Sequence, residues 1–385
     1  MKVKKIVILG ADGYLGWAAS MYFSKRGYNI FSIDNMSKRK FLKKLNLKTL
    51  FPNPTLNKRC KIWNKNNRSK IKFYNCDLTN YKNFKNIIKN IGEIEAIIHF
   101  AEQPSAPFSM MNSVSSNYTI TNNILTTNNL INIIRDLKID THVVKLGTMG
   151  EYGTPNVQIE EGWINLKHKG RKDKFLFPRQ ANSIYHTSKI MDTDLLWFAC
   201  RIWKLRVTDL MQGPVYGIDT KDSEYDERLR PCFHYDEIFG TIINRFVVQA
   251  CANYPLTVYG EGEQKRGYID IEDSLRCVEA SIKNPPNRGK MNIYNQISET
   301  LTVNQIANIV IKGAKELGLK VKIKKIRNPR IESEKHFYKP IYSNLKKIGA
   351  KRNKITNEYI KSFIHKVIKH KDKIDKSIIL KNIKW

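Results

Sequence analysis

The first forty residues restrict the fold more than anything else in the chain. Residues 4–9, Lys-Lys-Ile-Val-Ile-Leu, form a short apolar run of the kind buried on both faces in a parallel sheet. The run passes into Gly10-Ala11-Asp12-Gly13-Tyr14-Leu15-Gly16, a G-x-x-G-x-x-G turn. An amphipathic stretch over about 14–26 follows, and Gly27 closes it as a helix stop. A second strand over 29–33 ends in Asp34, 24 residues beyond Gly10. Glycines in such a turn allow a tight bend, close approach of a pyrophosphate to backbone N–H groups, and packing of helix on sheet. The helix N-terminus then faces phosphate. An acid about 20 residues on is suited to the hydroxyls of an adenosine ribose. Strand, turn, helix, strand and acid in this order predict a dinucleotide-binding Rossmann unit. Asp34 would accept from two ribose hydroxyls and repel a 2′-phosphate, which favours NAD even though Lys38, Arg39 and Lys40 follow.

Further strands are expected over 71–74, 94–99, 142–146 and 207–211, with a long helix over 110–137 and another from Tyr185 to about 203. The expected class is α/β: a Rossmann-type doubly wound parallel sheet in residues 1–211, and a smaller C-terminal α/β substrate lobe in 212–385, from which some segments return to the large domain. Residues 35–70 read as a basic, irregular insertion broken by Pro52 and Pro54. Ligands of open α/β sheets sit beyond the carboxyl ends of the strands. Gly10, Asp34, Asp77, Ala101 and Thr148 should therefore share one crevice, with Asp77 and Leu78 meeting the adenine.

The chemistry is expected from Thr148, at the end of the fifth strand, and from Tyr185-His186-Thr187-Ser188-Lys189. Tyr185 and Lys189 are one helical turn apart and project from one face. A tyrosine ordinarily titrates near ~10, and a neighbouring ammonium favours the phenolate. Such a phenol can take the proton of a sugar hydroxyl while hydride leaves the same carbon, with Thr148 holding the oxygen.

Composition narrows the partners. The chain of 385 residues carries 67 Lys plus Arg against 35 Asp plus Glu, a net charge of +32. The lysines are spread evenly among Asn and Ile and no nucleic-acid motif accompanies them, so the field favours anionic small molecules over nucleic acid. No stretch approaches the ~20 apolar residues of a membrane span. The first strand starts close to Met1, leaving no room for a leader, which points to the cytoplasm. Six scattered cysteines without C-x-x-C spacing argue against a zinc site or disulfide framework.

With Gly10, Gly13, Gly16, Asp34, Asp77, Asn123, Thr148, Tyr185, Lys189 and Arg266 in place, the chain resembles the extended short-chain dehydrogenase/reductases that act on nucleotide sugars. Within them it is similar to the UDP-sulfoquinovose synthase family. That likeness rests on Gly13-Tyr14-Leu15-Gly16-Trp17, on residues 99–110, on Val144 through Asn156, on Asp236 through Phe246, on Leu256 through Gly260, and on Asn328-Pro329-Arg330. The resemblance implies a cofactor site of Gly10, Asp12, Gly13, Tyr14, Leu15, Gly16, Asp34, Asn35, Arg39, Asp77, Leu78, Ala101, Glu102, Asn123, Tyr185, Lys189, Gln212 and Val215. It implies a nucleotide-sugar site of Gln103, Thr148, Gln212, Asn244, Arg245, Thr257, Val258, Tyr259, Gln264, Arg266 and Arg330, the arginines facing a diphosphate. It also implies UDP-glucose and sulfite as substrates, NAD as cofactor, no metal, and a homodimer paired through helices near 110–137 and 182–204.

Dehydratases of this superfamily carry Thr-Asp-Glu where this chain has Thr148-Met149-Gly150. Another group must then remove the C5 proton, and His186 and Glu151 are the candidates. The long interval between Thr148 and Tyr185 carries Trp163, Lys167, Lys172 and Lys174, expected as a lid over the sugar. Pro104 stands where the family pattern has Arg, Glu263 and Lys265 where it has Gly and Thr, and Phe108 and Phe337 where it has Tyr. A UDP-glucose 4-epimerase or 4,6-dehydratase is the alternative reading.

Overall fold

The computed structural model describes residues 4–329 and 336–380. Seven parallel strands form the central sheet in the spatial order Met291–Gln296, Arg206–Gln212, His142–Thr148, Ala96–His99, Lys5–Leu9, Asn29–Asp34 and Ile71–Asn75. Ile6, Val7, Ile8 and Leu9 are all fully buried, because alternate side chains feed the two apolar layers on either side. On one face the Tyr14–Lys25 and Ile271–Lys283 helices pack through Trp17, Tyr22, Leu275 and Val278. On the other lie the Tyr81–Ile91, Ser113–Asp136 and Ile184–Trp203 helices, through Phe84, Ile88, Leu130, Ile134 and Leu196. The strand order reverses between Lys5–Leu9 and Ala96–His99, and that switch point opens the crevice.

The strand Met291–Gln296 lies in the large sheet, in register beside Arg206–Gln212. One part of the chain differs from the sequence expectation. The 35–70 insertion is ordered, with helices at Ser37–Lys44 and Leu56–Asn66. Leu42, Leu47, Leu50 and Phe51 are buried in the core of the smaller lobe, whereas Leu56, Cys60 and Trp63 join the layer beneath the sheet. Polar sequence obscured these helices; each hides one narrow apolar stripe against a different lobe.

The smaller lobe packs the Ile242–Cys251, Val303–Glu316 and Asn357–Ile368 helices around Phe246, Val310, Phe363 and Ile364. Leu256–Tyr259 pairs with Ile323–Ile326. Lys265–Asp270 lies between Val215–Tyr216 and Glu299–Thr302. The interval after Thr148 forms an antiparallel hairpin, Trp163–His168 with Arg171–Leu176. Trp163 packs edge-on against Trp197 at 4.8 Å. None of Trp163, Lys167, Lys172 and Lys174 lines the cavity, so the hairpin is not a lid over the sugar. Among the described residues no helix is long and apolar enough to cross a membrane.

Candidate active site

A cavity of about 580 Å³ runs from the glycine turn to the smaller lobe, within the range of small-molecule sites. Gly10 has a positive φ of 81°, and a Cβ there would stand 2.5 Å from the Phe100 carbonyl carbon. A Cβ on Gly16 would meet the Gly10 oxygen at 2.0 Å. Glycine is thus required at both places by close backbone approach. Gly13 caps the Tyr14–Lys25 helix without a side-chain bond, leaving the helix end open to a phosphate. Asp34 ends its strand inside the cavity. Its two oxygens accept from the N–H groups of Asp12 (2.9 Å) and Met36 (2.5 Å). Burial, and next the Asp12 carboxylate, push Asp34 up to about 6. The glycine cradle and this carboxylate fit an adenosine diphosphate with an unphosphorylated ribose.

Of the residues expected at the cofactor, Gly10, Asp12, Gly13, Tyr14, Leu15, Gly16, Asp34, Asn35, Leu78, Ala101, Glu102, Tyr185, Gln212 and Val215 line this cavity. Four others do not. Arg39 is committed to the Asp12 carboxylate (2.6 and 2.8 Å) and to Asn53 and Pro54. Asp77 points outward and accepts from Thr79. Asn123 is buried behind the wall, where it accepts from Gln103 N–H (2.9 Å) and donates to the Ser188 hydroxyl (3.0 Å). Lys189 is buried and ion-paired with Glu102 and with Asp192 (3.9 Å).

That pairing changes the electrostatics of Tyr185. The sequence suggested a phenol drawn toward neutrality by Lys189. In the structure burial, and next the Glu102 and Glu151 carboxylates, push it above its ordinary value. Lys189 is itself raised, Glu102 and Asp192 outweighing burial. The phenol therefore rests in its protonated form.

Thr148 sits at the mouth of its strand. Its hydroxyl accepts from Gly150 N–H (3.1 Å), and its own N–H donates to Glu151 Oε1 (3.1 Å), a capping box that holds the Met149–Tyr152 turn. Glu151 is fully buried and does not line the cavity; Thr193, Lys145 (3.7 Å) and Arg179 (3.6 Å) surround it. It serves the turn, and its expected place as a base at the sugar is not what the fold supplies. His186 does line the cavity, its Nδ1 2.9 Å from the Ser183 hydroxyl. Its ring lies over Gly150, where a Cβ would fall 2.2 Å from Nε2. The loop thus needs glycine where dehydratases carry an acid, because the imidazole occupies that space.

Of the residues expected at the nucleotide sugar, Gln103, Thr148, Gln212, Asn244, Arg245, Tyr259, Gln264 and Arg266 line the same cavity. Arg245 donates to the Tyr259 hydroxyl (3.2 Å), which donates to Glu237 (2.6 Å). Arg266 lies 3.0 Å from His336 Nε2. Thr257 and Val258 face the lobe's interior, Thr257 bonded to Gln249 and Val258 in the core. Arg330 lies outside the described residues. Cys232, His234, Glu237 and Tyr338 line the cavity without having been expected there, since no local pattern marks residues that only chain folding brings to one wall.

Residues 6–295 match the NAD dependent epimerase/dehydratase family. The chain is 39% identical over 382 residues to the chloroplastic UDP-sulfoquinovose synthase of Spinacia oleracea, covering 99% of this chain and 79% of that protein. It is 40% identical over 384 residues to UDP-sulfoquinovose synthase of Sulfolobus acidocaldarius, covering 99% and 97%. The fold aligns with UDP-glucuronic acid 4-epimerase from Bacillus cereus, solved with UDP-glucuronic acid and NAD, at a TM-score of 0.68 and 17% identity, covering 95% of this chain and 99% of that one. The fold, the cavity and these matches together place the chain in the NAD dependent epimerase/dehydratase family and, within it, among the UDP-sulfoquinovose synthases.

Proposed function

We infer that this chain joins sulfite to C6 of UDP-glucose, with release of water, to give UDP-sulfoquinovose. The observation that carries the reading is that Thr148, Tyr185 and His186 open into the same cavity as Gly10 and Asp34. Proton-transfer groups and dinucleotide cradle then face one substrate. Bound NAD supplies a hydride acceptor that is restored within each turnover.

Thr148 donates to O4 of the glucosyl group, its hydroxyl oxygen being already held by Gly150 N–H. Tyr185, once in its minor phenolate form, takes the O4 proton as C4 becomes a ketone. Lys189, set behind it, supports the transient phenolate. The ketone acidifies the proton on C5; His186 removes it and passes it to the C6 hydroxyl, which departs as water. The sulfur lone pair of sulfite then adds to C6 of the enone, C5 regains a proton, and Tyr185 returns its proton to O4. Positioned acid–base groups of this kind contribute ~10²–10⁴-fold each. Arg245 and Arg266, with Gln264, hold the diphosphate.

Mass spectrometry of a mixture of protein, NAD, UDP-glucose and sulfite should show a sulfonated nucleotide sugar. Unchanged UDP-glucose with both ligands bound would reject the reading. UDP-galactose or a 4-keto-6-deoxy sugar without sulfite would support an epimerase or dehydratase instead.

The same reading covers assembly and place. Val114 (68% exposed), Met191, Phe198 and Ile202 (57% exposed) leave apolar side chains on the Ser113–Asp136 and Ile184–Trp203 helices, supporting a homodimer through them. All six cysteines are free thiols, in keeping with a reducing compartment such as the cytoplasm.

A further inference from the structure

Six buried cysteines divide into two chemical kinds. Burial pushes the Cys60, Cys200, Cys251 and Cys277 thiols up to about 12. Cys76 lines the cavity, yet burial and the Asp77 carboxylate raise it too. Cys232 lines the same cavity in different company. Its Sγ lies 3.5 Å from His234 Nε2, and His234 Nδ1 lies 3.4 Å from Asp236 Oδ2. The other Asp236 oxygen is fixed by the N–H groups of Ile238 (2.9 Å) and Phe239 (2.8 Å). Asn53 donates its amide to the sulfur at 3.1 Å. A thiol, an imidazole and an oriented carboxylate in this order form an activation relay.

The surrounding charges agree with the geometry. Burial works against the thiolate, but His234, then Lys38 and Arg59, outweigh it and hold Cys232 at about 7. Burial and Lys38 oppose the imidazolium, while Cys232 and Asp236 carry His234 upward. Arg39 and the Asp12 carboxylate complete the charged groups nearby. Among the described residues no cluster of His, Cys, Asp or Glu has the geometry to hold a metal ion.

Its place in the cavity is also defined. Asn53, which touches the sulfur, is bonded by Arg39. Arg39 grips Asp12, whose N–H donates to Asp34. Cys232 therefore stands at the adenosine-ribose end of the crevice.

We propose that Cys232 is a modification site for small disulfides, and that thiolation there and dinucleotide binding exclude one another. The Cys232 thiolate attacks one sulfur of the disulfide. A new S–S bond forms, the old one breaks, and the second half leaves as a thiolate, with no other oxidant or reductant. The added group projects into space that the ribose needs. The exclusion rests on the cavity taking NAD, whereas the reactivity of the thiol does not.

The test is to expose the full-length protein to oxidised glutathione from pH 6 to 9, with and without saturating NAD, and to map adducts by peptide mass spectrometry. Cys232 should be thiolated at least tenfold faster than Cys76 or the other four, with a rate that rises through about pH 7. NAD should slow it at least tenfold, and the thiolated protein should bind NAD at least tenfold more weakly. His234→Asn should move the pH dependence upward, and Cys232→Ser should take no adduct. Adducts spread evenly over the six cysteines would overturn the assignment of a reactive thiol. Rapid, selective labelling of Cys232 that NAD leaves unchanged would overturn the exclusion alone. Failure of NAD to bind at all would instead count against the functional reading.

Discussion

The ammonium of Lys189 is paired with the carboxylate of Glu102, across the loop that follows the Ala96–His99 strand. Asp192 stands 3.9 Å away on the same helix as Lys189. Two acids thus balance the charge that a bare Tyr-x-x-x-Lys pattern would direct at the phenol. Tyr185 is pushed up by burial and then by Glu102. An enzyme that oxidises C4 and later restores it needs the phenol to give its proton back, and a raised value favours that return.

Glu102→Gln removes that negative charge. With Glu102 neutral the phenolate is less disfavoured, so Tyr185 titrates at lower pH. The rise of turnover with pH should move toward acid, read from a pH–rate profile of sulfonated product. A merely structural Glu102 would lower the rate without displacing the profile.

Tyr185→Phe should reduce product formation by ~10²–10⁴-fold, the usual worth of a positioned proton-transfer group. NAD affinity, followed by titration calorimetry, should change little.

Gly150→Ala would set a Cβ 2.2 Å from His186 Nε2, so the imidazole or the turn must shift. If His186 moves the C5 proton, turnover should fall by at least about tenfold while NAD affinity holds. His186→Asn should cause a loss of similar size, and full activity in both variants would exclude His186 from proton transfer.

Cofactor affinity should depend on acidity through Asp34. In the free protein this carboxyl titrates near about 6, raised by burial. Below that value it carries a proton that must leave before both ribose hydroxyls find an acceptor. The Kd for NAD should therefore rise by up to about tenfold per pH unit below the titration. Calorimetry at pH 7.5 and 5 would show it, and Asp34→Asn should flatten the slope.

Asp12 is held by Arg39 at 2.6 Å and by Arg59 at 2.5 Å, the latter fully buried. Asp12→Asn strips the guanidinium of Arg59 of its counter-charge. Breaking a buried pair in this way costs roughly 3–5 kcal/mol. Thermal unfolding should show Tm lower by roughly 5–15 °C. The exposed Lys4–Glu95 pair makes a control, since Glu95→Gln should cost under about 1 kcal/mol.

Features written in short stretches of chain were legible without coordinates. The glycine turn, Asp34 at its strand end and Thr148 at another follow from periodicity and from spacing that local geometry enforces. Tyr185 and Lys189 share a helix face for the same reason. What Lys189 pairs with, and hence where the Tyr185 proton rests, depends on a loop 87 residues earlier in the chain. The seat of Cys232 against Asn53 joins residues 179 apart. The Met291–Gln296 strand entered the large sheet, and the Ser37–Lys44 helix put Leu42 into the smaller lobe's core. The Trp163 hairpin lies off the cavity and packs edge-on against Trp197. These outcomes were decided by burial and charge pairing between distant segments. Such contacts leave no periodic trace in either partner's own sequence, so only the packed chain reveals them.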